Sequence, residues 1–363
     1  MTPPIPMGER NVPVPTMSPT EPVLSVRNLE THFAQTEGLV RAVDGASFDL
    51  LPGKTLGIVG ESGCGKSVTT RSILQILERP GRIVGGEIWL ARPNAPSVDI
   101  AKLDPRGPEI RAIRGKEIAL IFQEPMTSLS AHYTVGNQIG EAIRIHNSSA
   151  DKAAVRNRTL ELLNLVGIPR AERRVDEYPF QLSGGLRQRV MIAMALACDP
   201  RVLIADEPTT ALDVTTQAQV LDLLRSLQKE RGLSLILITH DMGVIAEMAD
   251  DVAVMYLGRV VERGPVDQIF HAPRHPFTTA LLRSIPSILA QPRSKLETIE
   301  GSIPHPYNRP KGCPFHPRCG QRIAGRCDRE VPGTAAFPDR SAVSCFLFDD
   351  VSWDTAPTTS AAQ

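Results

Sequence analysis

The segment GESGCGKS, Gly60 to Ser67, constrains the fold of this chain more than any other. It follows the apolar run TLGIVG and opens the helical stretch SVTTRSILQIL, which is the setting a phosphate-binding P-loop requires. Glycines let backbone N–H groups turn inward around phosphates, and the helix N-terminus adds a favourable dipole. Gly60, Glu61, Ser62, Gly63, Cys64, Gly65 and Val68 are therefore expected around the phosphates of ATP. Lys66 is expected to bridge the β- and γ-phosphates, and the Ser67 hydroxyl to hold Mg²⁺. Cys64 would contribute mainly its backbone, although a helix N-terminus can lower a thiol pKa and make it oxidisable.

Apolar runs bounded by Gly or Pro recur along the chain: TLGIVG, EIALIFQ, RVLIADEP and LSLILITH. They read as buried parallel strands of an α/β core with ligands at the carboxyl ends of the strands. VAVMYLGRVVERG reads instead as a hairpin turning at Leu257-Gly258. The stretch from about 126 to 196 carries no strand pattern and reads as a helical subdomain. RVLIADEP ends in two carboxylates where a buried strand emerges. An exposed acidic pair is the plain alternative, but the P-loop upstream and ITHD downstream favour chemistry. Asp206 would then bind Mg²⁺ through its water shell, and Glu207 would polarise the attacking water.

Lys+Arg and Asp+Glu both total 40, so the net charge is zero and no nucleic-acid partner is expected. No apolar run approaches the roughly 18 residues needed to span a bilayer. Residues 1–22 are Pro-rich and read as a disordered tail without a signal peptide, as does 351–363. A cytosolic protein is expected, with any membrane role exercised through partners.

LSGGLRQRVMIAMALACDP, just before the Asp-Glu pair, resembles the signature segment of ATP-binding cassette (ABC) proteins. FQEP with Gln123 is similar to their Q-loop, ALDV with Asp213 to their D-loop, and His240 to their switch histidine. The resemblance, over about 23–270, implies a P-loop NTPase cassette with a RecA-like core, an antiparallel β subdomain and a helical subdomain. It implies an ATPase in which Ser183, Gly184, Gly185 and Leu186 of one cassette contact the γ-phosphate held by another. Gln123 would sense Mg²⁺ and the γ-phosphate, and His240 would hold transition-state charge. Leu186 departs from the usual glutamine and reads as a subfamily mark. Adenine needs a flat partner, for which Phe33 is the candidate; the alternative is a strand-end core phenylalanine.

A single cassette without a membrane span fits a separate importer subunit. IFQEPMTSLSAHYTVGNQI and HPFTTALLRSIP…EGSIPHPYNRPKGCPFHPRC resemble the D-type ATPase subunits of oligopeptide/dipeptide importers, over about 23–348. The resemblance implies a second, different cassette, two permease subunits and an extracytoplasmic substrate-binding protein. It implies a peripheral position on the cytoplasmic face of the membrane and a C-terminal extension over 271–350. Related cargo, such as a nickel chelate or a modified peptide, is the alternative. A soluble ABC ATPase acting on DNA or ribosomes would normally show two cassettes or a coiled coil, and this chain has neither.

From about Pro273 the composition shifts to Pro, Arg, His and Cys, which suggests an appended module. Four of the six cysteines lie there: Cys313, Cys319, Cys327 and Cys345. Disulfides are disfavoured in a reducing compartment, and zinc sites usually pair cysteines more closely. Four thiolates on a Pro-rich scaffold also suit a [4Fe–4S] cluster. The family resemblance implies such a cluster at these four positions, with Zn²⁺ or reduced thiols as alternatives. Cys198 reads as core filling, and His316 as a packing or surface residue.

Overall fold

The computed structural model describes residues 21–93, 95–123, 128–210, 212–285 and 299–349. Residues 1–20 and 351–363, both read as tails, lie outside the described residues, as do Glu124 to Thr127 after Gln123. Strands β1 (Leu24–Gln35) and β2 (Gly38–Leu50) form a long antiparallel hairpin. β3 (Thr55–Val59) leads into the P-loop and α1 (Lys66–Ile73). β4 (Gly81–Arg92) and β5 (Ala95–Asp99) complete an antiparallel sheet of order β2-β1-β4-β5. This is the expected β subdomain.

After α2 (Pro108–Ile113), β6 (Ile118–Ile121) begins the edge of the main sheet. Its further strands are β7 (Val202–Asp206), β8 (Ser234–Ile238), β9 (Asp251–Tyr256), β10 (Arg259–Pro265), β11 (Ala335–Ala336) and β12 (Ala342–Val343). The order is β11-β12-β10-β9-β3-β8-β7-β6. The pairs from β9 through β3, β8 and β7 to β6 are parallel, and the rest are antiparallel. Both faces are buried, which is why the strands read as continuous apolar runs. Leu203, Ala205, Leu235 and Leu237 face one core, while Val202, Ile204, Ile236 and Ile238 face the other. The first core is shared with the helices, the second with Val26, Phe48 and Ile88 of the antiparallel sheet. Each of the Val, Leu, Ile and Phe side chains among them contributes about 1.5–3 kcal/mol by burial.

The stretch 128–196 is helical as expected: α3 (Val135–His146), α4 (Lys152–Leu165), α5 (Ala171–Arg174) and α6 (Gly184–Ala195). Asp151 caps α4 by accepting from Ala154 N at 2.7 Å, a contact of the kind that stabilises helix starts by about 1 kcal/mol. α7 (Val214–Arg231) stops at Gly232, whose φ of 62° suits the left-handed end of a helix. α8 (Met242–Met248) follows β8, and α9 (Val266–His271) follows β10. The β9–β10 turn falls at Leu257 and Gly258, with φ of 43° and 78°. Positive φ at both central residues is what a tight hairpin matching the sheet twist demands. The tip grips the P-loop: Gly258 N donates to Cys64 O at 2.8 Å, and Gly258 O accepts from Asp44 N at 2.9 Å.

The extension, read from composition as an appended module, packs onto the main sheet and its core. Its strand β12 pairs with β10 and continues the main sheet. Its first helix, α10 (Pro276–Arg283), inserts Phe277 beside Tyr256 and Phe315, with ring centroids 4.7–5.4 Å apart. His275 caps this helix, its Nδ1 accepting from Phe277 N at 3.0 Å. Burial pushes the His275 pKa down to about 3, so the ring stays neutral and keeps that lone pair. A Pro- and Cys-rich composition conceals these few aromatic anchors, which make the extension part of the cassette core.

Candidate functional site

The site lies where β3, β6, β7 and β8 end. Ser62, Gly63, Gly65, Lys66, Ser67 and Val68 line one side of a cavity above the P-loop. Gln123, Glu207 and His240 reach it from just beyond the carboxyl ends of three neighbouring strands, the position where open parallel sheets bind ligands. Gly65 has φ 101°, and a Cβ there would lie 2.2 Å from Ala42 O, so only glycine lets the loop close against β2.

The Lys66 ammonium is buried and donates to Gly60 O at 2.8 Å and Glu61 O at 3.2 Å. Ser67 Oγ donates to Asp206 Oδ1 at 3.0 Å. Burial raises the Asp206 pKa, and the neighbouring Glu207 charge adds to the rise. A desolvated carboxylate beside a hydroxyl and the Gln123 amide is a hard-oxygen set suited to Mg²⁺. Asp206 and Gln123 also line an adjoining pocket with Phe122 and Arg71.

Glu207 is the most constrained residue here. Its φ of 48° is a left-handed backbone that costs a non-glycine residue about 1–3 kcal/mol. Gln123 Nε2 donates to its Oε2 at 3.0 Å, and Thr210 Oγ1 donates to the same oxygen at 2.9 Å. His240 Nδ1 lies 3.4 Å from its other oxygen. One carboxylate is thus oriented by two donors on one side and faces an exposed imidazole on the other. That arrangement can take a proton from a water and hold charge beside it.

Ser183, Gly184, Gly185 and Leu186 do not line the P-loop cavity. Ser183 caps α6 by accepting from Leu186 N. Gly185 packs so closely on Thr216 that a Cβ would lie 2.6 Å from Thr216 Cγ2. Thr216 in turn bonds Asp213, which caps α7. The signature and D-loop residues therefore share one face, with Ser183, Gly184 and Asp213 exposed.

Phe33 is also outside the cavity: it packs in β1 opposite Val40 and Gly81, its ring against Gly81, as a strand-end packing residue does. The cavity wall away from Glu207 comes instead from Val40, Arg41, His305, Pro306 and Arg309. Sequence reasoning passed over the last three because they lie far along the chain in the extension. Around Asp44 gather Arg259 at 2.6 Å, Arg309 at 3.0 Å and Arg41 at 3.9 Å. Three guanidiniums on one carboxylate leave a positive field at the cavity, as a polyphosphate ligand requires.

Cys64 is buried, and burial raises its pKa, so it is not the activated thiol that its helix-end position allowed. Cys313, Cys319, Cys327 and Cys345 line one small pocket with Phe315 and Phe346. Burial, aided by the neighbouring thiols, pushes Cys345 up to about 11 and also raises Cys313 and Cys319. Gly312, at φ 70°, permits the close approach in which Cys313 N donates to Cys327 O at 2.8 Å. Among the described residues no group of three or more His, Cys, Asp or Glu is arranged to hold a metal ion. The donor chemistry suits a soft metal, and all four thiols converge on that one pocket. His316 bonds the Cys313 carbonyl through Nδ1 at 2.9 Å, a packing role.

Two family models match: "ABC transporter" over residues 43–210 and "Oligopeptide/dipeptide transporter, C-terminal region" over 261–327. The chain is 48% identical to the dipeptide transport ATP-binding protein DppD of Bacillus subtilis, over 91% of this chain and 96% of that one. It is 46% identical to DppD of Escherichia coli, over 90% and 98%. Among solved structures, the dimeric ATP-binding cassette MJ0796 in a post-hydrolysis state with ADP and Pi superposes with a TM-score of 0.59. That match has 27% identity and covers 67% of this chain and 98% of the other.

Proposed function

The chain belongs to the ABC transporter ATP-binding subunits, in their oligopeptide/dipeptide importer branch, and from that membership we propose how its residues power uptake. Lys66 and the P-loop amides bind the ATP phosphates, Ser67, Asp206 and Gln123 supply the oxygens for Mg²⁺, and Glu207 accepts the proton of the attacking water. His240 holds charge beside it. Val40, Arg41 and His305 face the remainder of the nucleotide. The observation that carries this reading is the single carboxylate of Glu207, held by Gln123 and Thr210 and facing His240 at the edge of the P-loop cavity.

The signature face works in trans. Ser183 and its neighbours are exposed beside Asp213, away from their own P-loop, which supports closure on the P-loop of a second, different cassette when ATP is bound. No helix among the described residues is long and apolar enough to cross a membrane. The subunit then acts from the cytoplasmic face on two permease subunits, with an extracytoplasmic binding protein delivering di- or oligopeptides. Reconstitution with peptide-importer permeases and their binding protein tests the assignment. Dipeptide-loaded binding protein is expected to raise ATP hydrolysis several-fold, and stimulation by a nickel chelate with none by peptides would overturn the cargo.

The same reading extends to the four cysteines as ligands of a [4Fe–4S] cluster, supported by the convergence of all four thiols on one apolar pocket. Its use is structural, since a cross-link stabilises a segment with few apolar residues. Anaerobically purified protein is expected to contain about four iron and four sulfide per chain, as that cluster's composition requires, and Cys345→Ser to lose both. Stoichiometric zinc without iron would replace the cluster by a zinc site.

A further inference from the structure

Arg318 lies between the first two late cysteines, 257 residues from Glu61, the second residue of the P-loop segment. The two form a two-pronged ion pair, Nη1 to Oε2 at 2.6 Å and Nη2 to Oε1 at 3.0 Å. Arg318 is only 5% exposed and Glu61 19%. The other donors of the guanidinium are also occupied: Nη1 reaches Tyr256 Oη at 3.4 Å, Nη2 Ile299 O at 3.4 Å, and Nε Glu300 O at 3.0 Å. All five N–H groups that arginine owns thus have acceptors. Such a fully satisfied fork fixes geometry in a way a single exposed ion pair does not.

Glu61 holds the other end of the arrangement. Its carbonyl accepts from the Lys66 ammonium at 3.2 Å and from Cys64 N at 3.2 Å. One residue is therefore held by Arg318 through its side chain and holds Lys66 through its backbone. An unpaired Glu61 carboxylate would oppose a triphosphate entering the adjacent loop, and little solvent is present to screen it.

We propose that Arg318 is a positioning residue of the nucleotide site, cancelling the Glu61 charge beside the triphosphate and fixing the loop that holds Lys66. The proposal rests on the reading that the P-loop cavity takes ATP. It makes the cysteine-bearing extension a working part of that site, acting through Glu61 and not by touching nucleotide.

The test measures ATP binding by calorimetry and the ATP dependence of hydrolysis in the full chain. Arg318→Ala is expected to weaken ATP binding about tenfold or more, a loss of about 1.4 kcal/mol, with KM rising more than kcat falls. Adding Glu61→Gln to Arg318→Ala should recover most of the affinity, because the unpaired charge is then gone. Arg318→Lys, which keeps a positive charge beside Glu61 but not the fork, should keep most of the affinity of the unaltered chain, and it keeps the proposal testable should Arg318→Ala not fold. A purely structural strut predicts the reverse: binding as weak in Arg318→Lys as in Arg318→Ala, and no recovery in the double variant. Either result, or unchanged affinity in Arg318→Ala, overturns the proposal. Failure of the unaltered chain to bind ATP, with Lys66→Ala making no difference, would instead remove the ATP-site reading itself.

Discussion

Glu207→Gln is expected to lower ATP turnover by about 10²-fold or more while leaving ATP binding intact. The geometry explains why the substitution removes so little else. Both donors to Glu207, Gln123 Nε2 and Thr210 Oγ1, converge on the same oxygen, Oε2. An isosteric amide can place its carbonyl oxygen there and keep both bonds. Its NH₂ then takes the position 3.4 Å from His240 Nδ1, where the second carboxylate oxygen stands. What disappears is the basicity needed to take a proton from water, together with the negative charge. Binding without hydrolysis should hold two cassettes together, so light scattering in Mg-ATP is expected to show an accumulated dimer. Turnover like that of the unaltered chain would remove Glu207 from its role as the base.

The residues of this site were legible in the sequence because each sits beside an element with a strong local signal. The P-loop needs glycines whose φ values other residues avoid, and Asp206 and Glu207 end an apolar run that is fully buried on both faces. Thr210, which orients Glu207, gave no such signal; only folding brings its hydroxyl back to the carboxylate three residues earlier. Phe33 shows the converse error. An aromatic upstream of a P-loop is a sound candidate for stacking on a base, but the β1–β4 register turns its ring onto Gly81. Arg318, His305 and Arg309 were illegible for a different reason. Their partners are distant in the chain, and no periodicity encodes a contact that depends on how the extension packs around Tyr256. The late cysteines were easy to see as a group because they crowd a short stretch of chain, but the pocket that Phe315 and Phe346 close around them depends on folding.

Lys66→Ala is expected to act on binding where Glu207→Gln acts on turnover. The ammonium is buried at the start of α1, and among the described residues it bonds two backbone carbonyls, Gly60 and Glu61, with the Cys64 sulfur more distant at 3.9 Å. Carbonyls satisfy its protons but do not neutralise its charge, so the charge stays available to a polyphosphate. Charge-assisted hydrogen bonds contribute about 1.5–3 kcal/mol each, so losing those to ATP should weaken affinity by about 10- to 100-fold at constant salt. The fold should survive, because an alanine is an excellent residue for the first turn of a helix. Thermal melting without nucleotide should therefore change little, while the stabilisation that ATP adds should largely vanish. Lys66→Arg should not rescue binding: the compact ammonium held by Gly60 O at 2.8 Å and Glu61 O at 3.2 Å would be replaced by a planar fork of different reach and donor geometry. If Lys66→Ala bound ATP as well as the unaltered chain and lost only turnover, the phosphates would have to lie elsewhere in the cavity. The cluster of Arg41 and Arg309 about Asp44 would then be the place to seek them.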